Sequence, residues 1–106
     1  MIKRIGLVRR KQSLSREQFL DHWLTTHAAL CKKLPGMRRY CINVIERDQF
    51  PGLDYDGFSE LWFDSVEALQ AALASPDGVT LLADLPNFTE EIYPVVVTEH
   101  RMLWPD

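Results

Sequence analysis

Phe19–Tyr40 reads FLDHWLTTHAALCKKLPGMRRY, and the folding of the rest of the chain turns on it. At about 100° per helical residue, Phe19, Leu20, Trp23, Leu24, Leu30, Cys31 and Leu34 share an arc of roughly 140°. His27 falls near the middle of that arc, so a titratable imidazole is aimed at the protein interior. Leu34-Pro35-Gly36 stops the helix. Met37–Arg47 then alternates as a strand, with Arg38, Tyr40, Ile42 and Val44 on one face and Met37, Arg39, Cys41, Asn43 and Ile45 on the other.

Upstream, Ser15 and Gln18 have the spacing of a capping box, and Leu14 and Phe19 that of a hydrophobic staple. This sets the helix at about Arg16 to Lys32 or Lys33, with the two lysines at the carboxyl end of its dipole. Ile2–Arg10 precedes it as a first strand. Downstream, 48–56 reads as a surface loop around Pro51-Gly52. Gly57–Phe63 (GFSELWF) is a third strand, with Phe58, Glu60 and Trp62 on one face. Ser65 caps a second helix over Val66–Ala74 with a stripe of Val66, Leu69, Ala72 and Leu73. Ser75-Pro76-Asp77-Gly78 reads as a break, Val79–Ala83 as a short helical turn, and Leu85–Ile92 as irregular around Pro86. Tyr93–Leu103 is a last strand, and Pro105 closes the chain.

The order βαββαβ predicts an α+β, ferredoxin-like fold, a four-stranded antiparallel sheet with both helices on one face. The uncovered apolar face calls for a partner, most simply a second copy of the chain. The 106 residues make one domain, and 46% hydrophobic with 25% charged residues is a globular composition. A net charge of −3 offers no general attraction to nucleic acid or anionic membranes. With no signal-peptide pattern and no apolar run near the length of a membrane span, a soluble, cytoplasmic protein is expected.

Cys31 and Cys41 are expected as buried free thiols, since neither belongs to a CxxC pair. His22 and His27, five apart on an α-helix, would point about 140° from each other, so no metal site is expected and His22, like His100, reads as a surface residue. No nucleotide fingerprint, phosphate loop or nucleophile elbow is present, so no nucleotide cofactor is expected. Asp56–Phe63 (DGFSELWF) superficially copies an RNA-recognition strand motif. It fails on chemistry, because Asp56 stands where a basic residue should meet phosphate and Glu60 replaces a stacking aromatic.

Trp23, His27, Leu34-Pro35-Gly36, Arg39-Tyr40 and Glu60-Leu61-Trp62-Phe63, in that order, resemble the EthD family, a branch of the dimeric α/β-barrel superfamily. The resemblance runs from about Ile2 to Glu99. It implies a homodimer whose two sheets form a barrel, with a cleft between helices and sheet. It also implies proton-transfer chemistry on small apolar, aromatic or polyketide-like carbonyl compounds, commonly without metal or organic cofactor, or a role beside an oxygenase system.

Within that frame His27 is the candidate acid or base. Tyr40 matches the family tyrosine after the turn and would orient or polarise a substrate oxygen. Glu60 would shuttle protons if its strand face meets the helices. Trp23, Trp62, Leu30 and Phe88 are candidate substrate walls, and Asp84 with Phe88 lies where a lid would be. The plainer readings are a hydrogen-bonded core histidine, a packed strand tyrosine, a Glu60–arginine ion pair and core aromatics. A non-catalytic, metabolite-binding partner of an oxygenase is the alternative function.

Overall fold

The computed structural model describes residues 1–49 and 51–104, so Pro105 lies outside the described residues. Four strands, β1 (Ile2–Arg10), β2 (Arg39–Val44), β3 (Gly57–Phe63) and β4 (Thr89–Thr98), form one antiparallel sheet in the order β2-β3-β1-β4. This is the predicted ferredoxin-like sheet. Pairing sets Arg4 opposite Leu61 and Gly6 opposite Ser59, while Tyr40 lies opposite Leu61. Because side chains alternate across a strand, Arg4, Gly6, Val8, Tyr40, Ser59 and Leu61 share the face that the helices cover. Lys3, Cys41, Phe58, Glu60 and Trp62 share the other.

Helix α1 begins as read. Ser15 Oγ accepts from the Gln18 N–H at 3.1 Å, and Gln18 Oε1 accepts from the Ser15 N–H at 2.9 Å. Its winding is unexpected. It is α-helical over Arg16–Asp21, π-helical over His22–His27 and α-helical again over Ala28–Cys31. In the π segment the Ala28 N–H reaches back to the Trp23 carbonyl, five residues away. The Thr25 hydroxyl donates to the Asp21 carbonyl, a back-bond that accompanies bent helices. Leu24, predicted on the buried arc, is turned out and 48% exposed. Gly36 then holds φ at +77°, a left-handed turn that a side chain would strain.

The second helical crossing is divided. α2 (Val66–Ala74) ends at Ser75, whose hydroxyl caps α3 (Pro76–Phe88) by accepting from the Gly78 N–H. Pro76 therefore starts a helix instead of ending one, as suits a first-turn proline. A Cβ on Gly78 would sit 2.3 Å from the Ala72 carbonyl oxygen, so the corner needs glycine. Pro86 lies inside α3 and β4 begins at Thr89, where irregular chain was expected. The missing N–H of Pro86 leaves the Leu82 carbonyl without its helical donor, on a residue that is itself partly exposed.

Two clusters fill the space between helices and sheet. Cys31, Leu34, Leu61, Phe63, Leu69 and Leu81 form one, and Val8, Phe19, Trp23 and Phe88 the other. Trp23 lies directly on Gly57, where a Cβ would stand 2.7 Å from its Cη2. Cys31 is buried as expected; Cys41 is exposed, because it lies on the helix-free face of the edge strand β2. No helix among the described residues is long and apolar enough to cross a membrane.

Candidate functional site

The second cluster surrounds His27, whose side chain is almost wholly buried. Its Nδ1 lies 2.8 Å from Asp84 Oδ2, a contact between the π segment of α1 and the middle of α3. His22 Nε2 lies 3.0 Å from both oxygens of the same carboxylate, and Asn87 Nδ2 donates to Oδ1 at 3.0 Å. The expectation of His22 as a free surface residue is thus corrected. On an α-helix residues five apart diverge, but π winding stacks them as i, i+4 pairs stack elsewhere. Phe88, fully buried, packs against both imidazoles at ring-centroid distances of 4.9 and 4.7 Å. His100 is exposed as expected.

An ionised Asp84 accepts from Nδ1–H, leaving Nε2 with its lone pair as the nitrogen available on the far side of the ring. Burial is the largest influence on His27 and pushes its pKa below the ordinary imidazole value, against the pull of Asp84; the neighbouring His22 and Arg4 push the same way. Burial also works to raise Asp84, but hydrogen bonds from Asn87, His27 and His22 outweigh it and hold the carboxyl below its usual range. A neutral, oriented imidazole is the form of a general base.

His27 lines a small cavity between α1, α3 and the sheet. Arg4, Tyr40 and Ser59 provide its polar floor, Trp23 part of its wall, and Leu82 and Leu85 its outer rim. The cavity has a volume of about 20 Å³, room for one water. Among the described residues the buried Tyr40 hydroxyl has no hydrogen-bond partner of proper geometry, with the Cys31 thiol beside it. Burial, then the neighbouring Cys31, raises its pKa above the ordinary phenol value, so it remains a donor. Burial pushes the Cys31 thiol up to about 11.

The structure therefore brings together His27, Tyr40 and Trp23. Glu60 and Trp62 lie on the opposite face of the sheet, which corrects their grouping with His27. Glu60 Oε2 pairs with Lys3 Nζ at 2.9 Å and Oε1 accepts from Asn43 Nδ2 at 2.8 Å, while Trp62 Nε1 donates to Glu99 at 3.2 Å. The ion pair foreseen for Glu60 exists, with a lysine in place of an arginine. Leu30 packs against the first core cluster, and Phe88 supports the histidines from behind without lining the cavity. Asp84 is the site residue whose role went unread. Its signal was a carboxylate at helical spacing among the apolar Leu81, Leu85 and Phe88. Among the described residues no group of three or more His, Cys, Asp or Glu side chains is arranged to hold a metal ion.

Comparison with known proteins identifies the family. An uncharacterized 11.0 kDa protein of the thcB–thcC intergenic region of Rhodococcus erythropolis is 26% identical over 88 residues, covering 82% of this chain and 84% of its own. The crystal structure of an EthD family protein from Bacillus halodurans matches with a TM-score of 0.83 at 25% identity, over 94% of this chain and 99% of that one. A dimeric ferredoxin-like protein of unknown function from Thermobifida fusca matches at 0.75 and 17% identity, over 92% and 90%. SnoaB, a cofactor-independent oxygenase from Streptomyces nogalater, matches at 0.71 and 18%, over 99% and 97%. The EthD domain model matches residues 11–92, most of the chain, with His22, His27, Tyr40 and Asp84 inside the match, and the chain belongs to the EthD family.

Proposed function

We propose that the His27 cavity is a proton-transfer site for a small carbonyl-bearing compound of aromatic or polyketide type. The observation that carries this is the Asp84–His27 contact of 2.8 Å beside the unpartnered Tyr40 hydroxyl. His27 Nε2 takes a proton from the carbon next to a carbonyl. The C–H electrons become the enolate double bond, and the Tyr40 hydroxyl donates to the oxygen where charge collects. The imidazolium, held by Asp84, returns its proton to another carbon or to a leaving hydroxide. Isomerisation, cyclisation and dehydration share that first step. The reaction draws on no organic cofactor, and the likeness to a cofactor-independent oxygenase supports this.

Deuterium exchange into a panel of 1,3-dicarbonyl compounds tests the reading. His27→Gln should lower exchange about 10²- to 10⁴-fold while the fold persists; exchange undiminished in that variant overturns it. The small cavity favours a second reading, a metabolite-binding partner of an oxygenase, in which His27→Gln changes ligand affinity and no turnover exists to lose.

The sheet's outer face supports a homodimer. Tyr93 and Val95 are 56% and 38% exposed there, beside Ile5, Leu7 and Phe58. Two such faces packed together would close a barrel. Light scattering should give twice the chain mass, and Val95→Lys should give a monomer; a wild-type monomer at working concentration overturns the assembly.

A further inference from the structure

The floor of the cavity carries a cation that the acid–base reading does not use. Arg4 lies in the middle of β1 on the helix-covered face and lines the cavity beneath His27. Burial lowers its pKa, and the one titratable group that acts against this is the Cys31 thiol. Among the described residues, no carboxylate offsets it. Arg9, Arg38, Arg47 and Arg101 have acidic partners; Arg4 is set apart from the other arginines that make no ion pair by lining the cavity.

An unpaired, part-buried guanidinium is costly, and such a group persists where something else meets its hydrogen-bonding capacity. The surroundings are shaped for that. A Cβ built on Gly6 would stand 3.4 Å from Arg4 Nη1 and 3.0 Å from Ser59 Oγ, so the bare glycine leaves a cradle between the guanidinium and a hydroxyl. Ile92 Cδ1, at 3.5 Å from the same point, closes one side with hydrocarbon. A guanidinium presents two parallel N–H groups, the match for a planar, two-oxygen anion.

We propose that Arg4, Gly6 and Ser59 form a carboxylate-binding subsite, so that the compound handled at His27 is a small oxo-acid bound as its anion. This rests on the acid–base reading and adds the substrate class to it. The carboxylate sits on the Arg4 fork with Ser59 Oγ as a further donor. The carbonyl lies toward Tyr40, and the acidic carbon between them lies under His27 Nε2. Leu82 and Leu85, at the outer rim, are the side chains that anything larger than a water would have to displace.

The test compares acetoacetate with acetoacetamide, which share a shape and differ in charge, by calorimetry on the intact protein at pH 7. Wild type should bind the acid about 10- to 100-fold more tightly than the amide. Arg4→Met should erase the preference. Gly6→Ala, whose methyl occupies the cradle, should weaken acid binding with Arg4 still present, which guards against misfolding of the Arg4 variant. His27→Gln should keep the preference. Equal affinity for the two probes, binding of neither, or a preference surviving in Arg4→Met overturns the proposal. A preference that disappears with Arg4 while His27→Gln leaves exchange rates unchanged removes the acid–base role and leaves the subsite standing.

Discussion

Replacing Asp84 by Asn keeps the side chain's shape and removes the charge on which His22, His27 and Asn87 converge. In the native protein Asp84 accepts from His27 Nδ1 at 2.8 Å in a site where His27 is 7% exposed, so water cannot substitute for the lost acceptor. A hydrogen bond to a charged group contributes about 1.5–3 kcal/mol and a neutral one about 0.5–1.5, so the exchange costs about 1–2 kcal/mol at His27. His22, with about a quarter of its side chain exposed, is rehydrated at little cost. Unfolding of a domain this size by urea has a slope of about 1–3 kcal/mol per M, so the midpoint should fall by about 0.5–1 M. The second effect is on proton position. The new amide donates through its NH₂ to His27 Nδ1, moving the ring proton to Nε2 and removing the lone pair from the cavity. Urea titration followed by tryptophan fluorescence reads the first effect, and long-range ¹H–¹⁵N NMR of the imidazoles reads the second. A midpoint shifted by less than about 0.2 M, with Nδ1 still protonated, would show that Asp84 neither supports nor orients His27.

Three further outcomes are expected. Gly57→Ala places a methyl 2.3 Å from the Asn43 carbonyl oxygen and 2.7 Å from the Trp23 ring, so stability should drop by about 1–3 kcal/mol or more; a variant within about 0.5 kcal/mol of wild type refutes the close packing of Trp23. Because the folded pKa of His27 lies below 6.5, its stabilising neutrality is complete above that pH and lost as the pH falls through the folded value, with Asp84 extending the loss below 3.8. Midpoints measured from pH 8 to 4 should decline on the acid side, and His27→Gln should flatten the first part of that decline; identical slopes in the two proteins count against it. In a Cys41→Ser background, the remaining Cys31, with its pKa near 11, should be about one part in a thousand thiolate at pH 8 and resist iodoacetamide until urea unfolds the chain.

Most of the framework was legible because it depends on local rules. The Ser15–Gln18 box, the Leu14–Phe19 staple, the Pro35-Gly36 stop and the boundaries of Gly57–Phe63 follow from capping, turn chemistry and alternation, and each is found. Alternation also paired Glu60 with Trp62 and set them opposite Leu61. It could not say which face the helices cover, since apolar residues occupy both, and that choice decided whether Glu60 meets His27 or Lys3. Prolines misled twice for the same reason. Pro76 sits where a helix's first N–H is spare, and Pro86, near the end of α3, removes one hydrogen bond without stopping the helix, so neither breaks α3. His27 was visible as an anomaly on an apolar arc. Its orienting partner was not, because Asp84 is 57 residues away and only tertiary packing joins them.

The π segment of α1 has a consequence for how this protein can tolerate change. Its extra residue per turn is what lets positions 22 and 27 share one carboxylate, so the alignment resides in a count of residues as much as in their identities. Deleting exposed Thr26 would remove no contact made by His22, His27 or Asp84 and would leave the imidazoles four apart, the spacing that an α-helix stacks, whereas inserting one residue between them would carry them apart. A substitution scan across Leu24, Thr25 and Thr26 would miss this dependence entirely. For this helix, the informative genetic unit is the single-residue insertion or deletion.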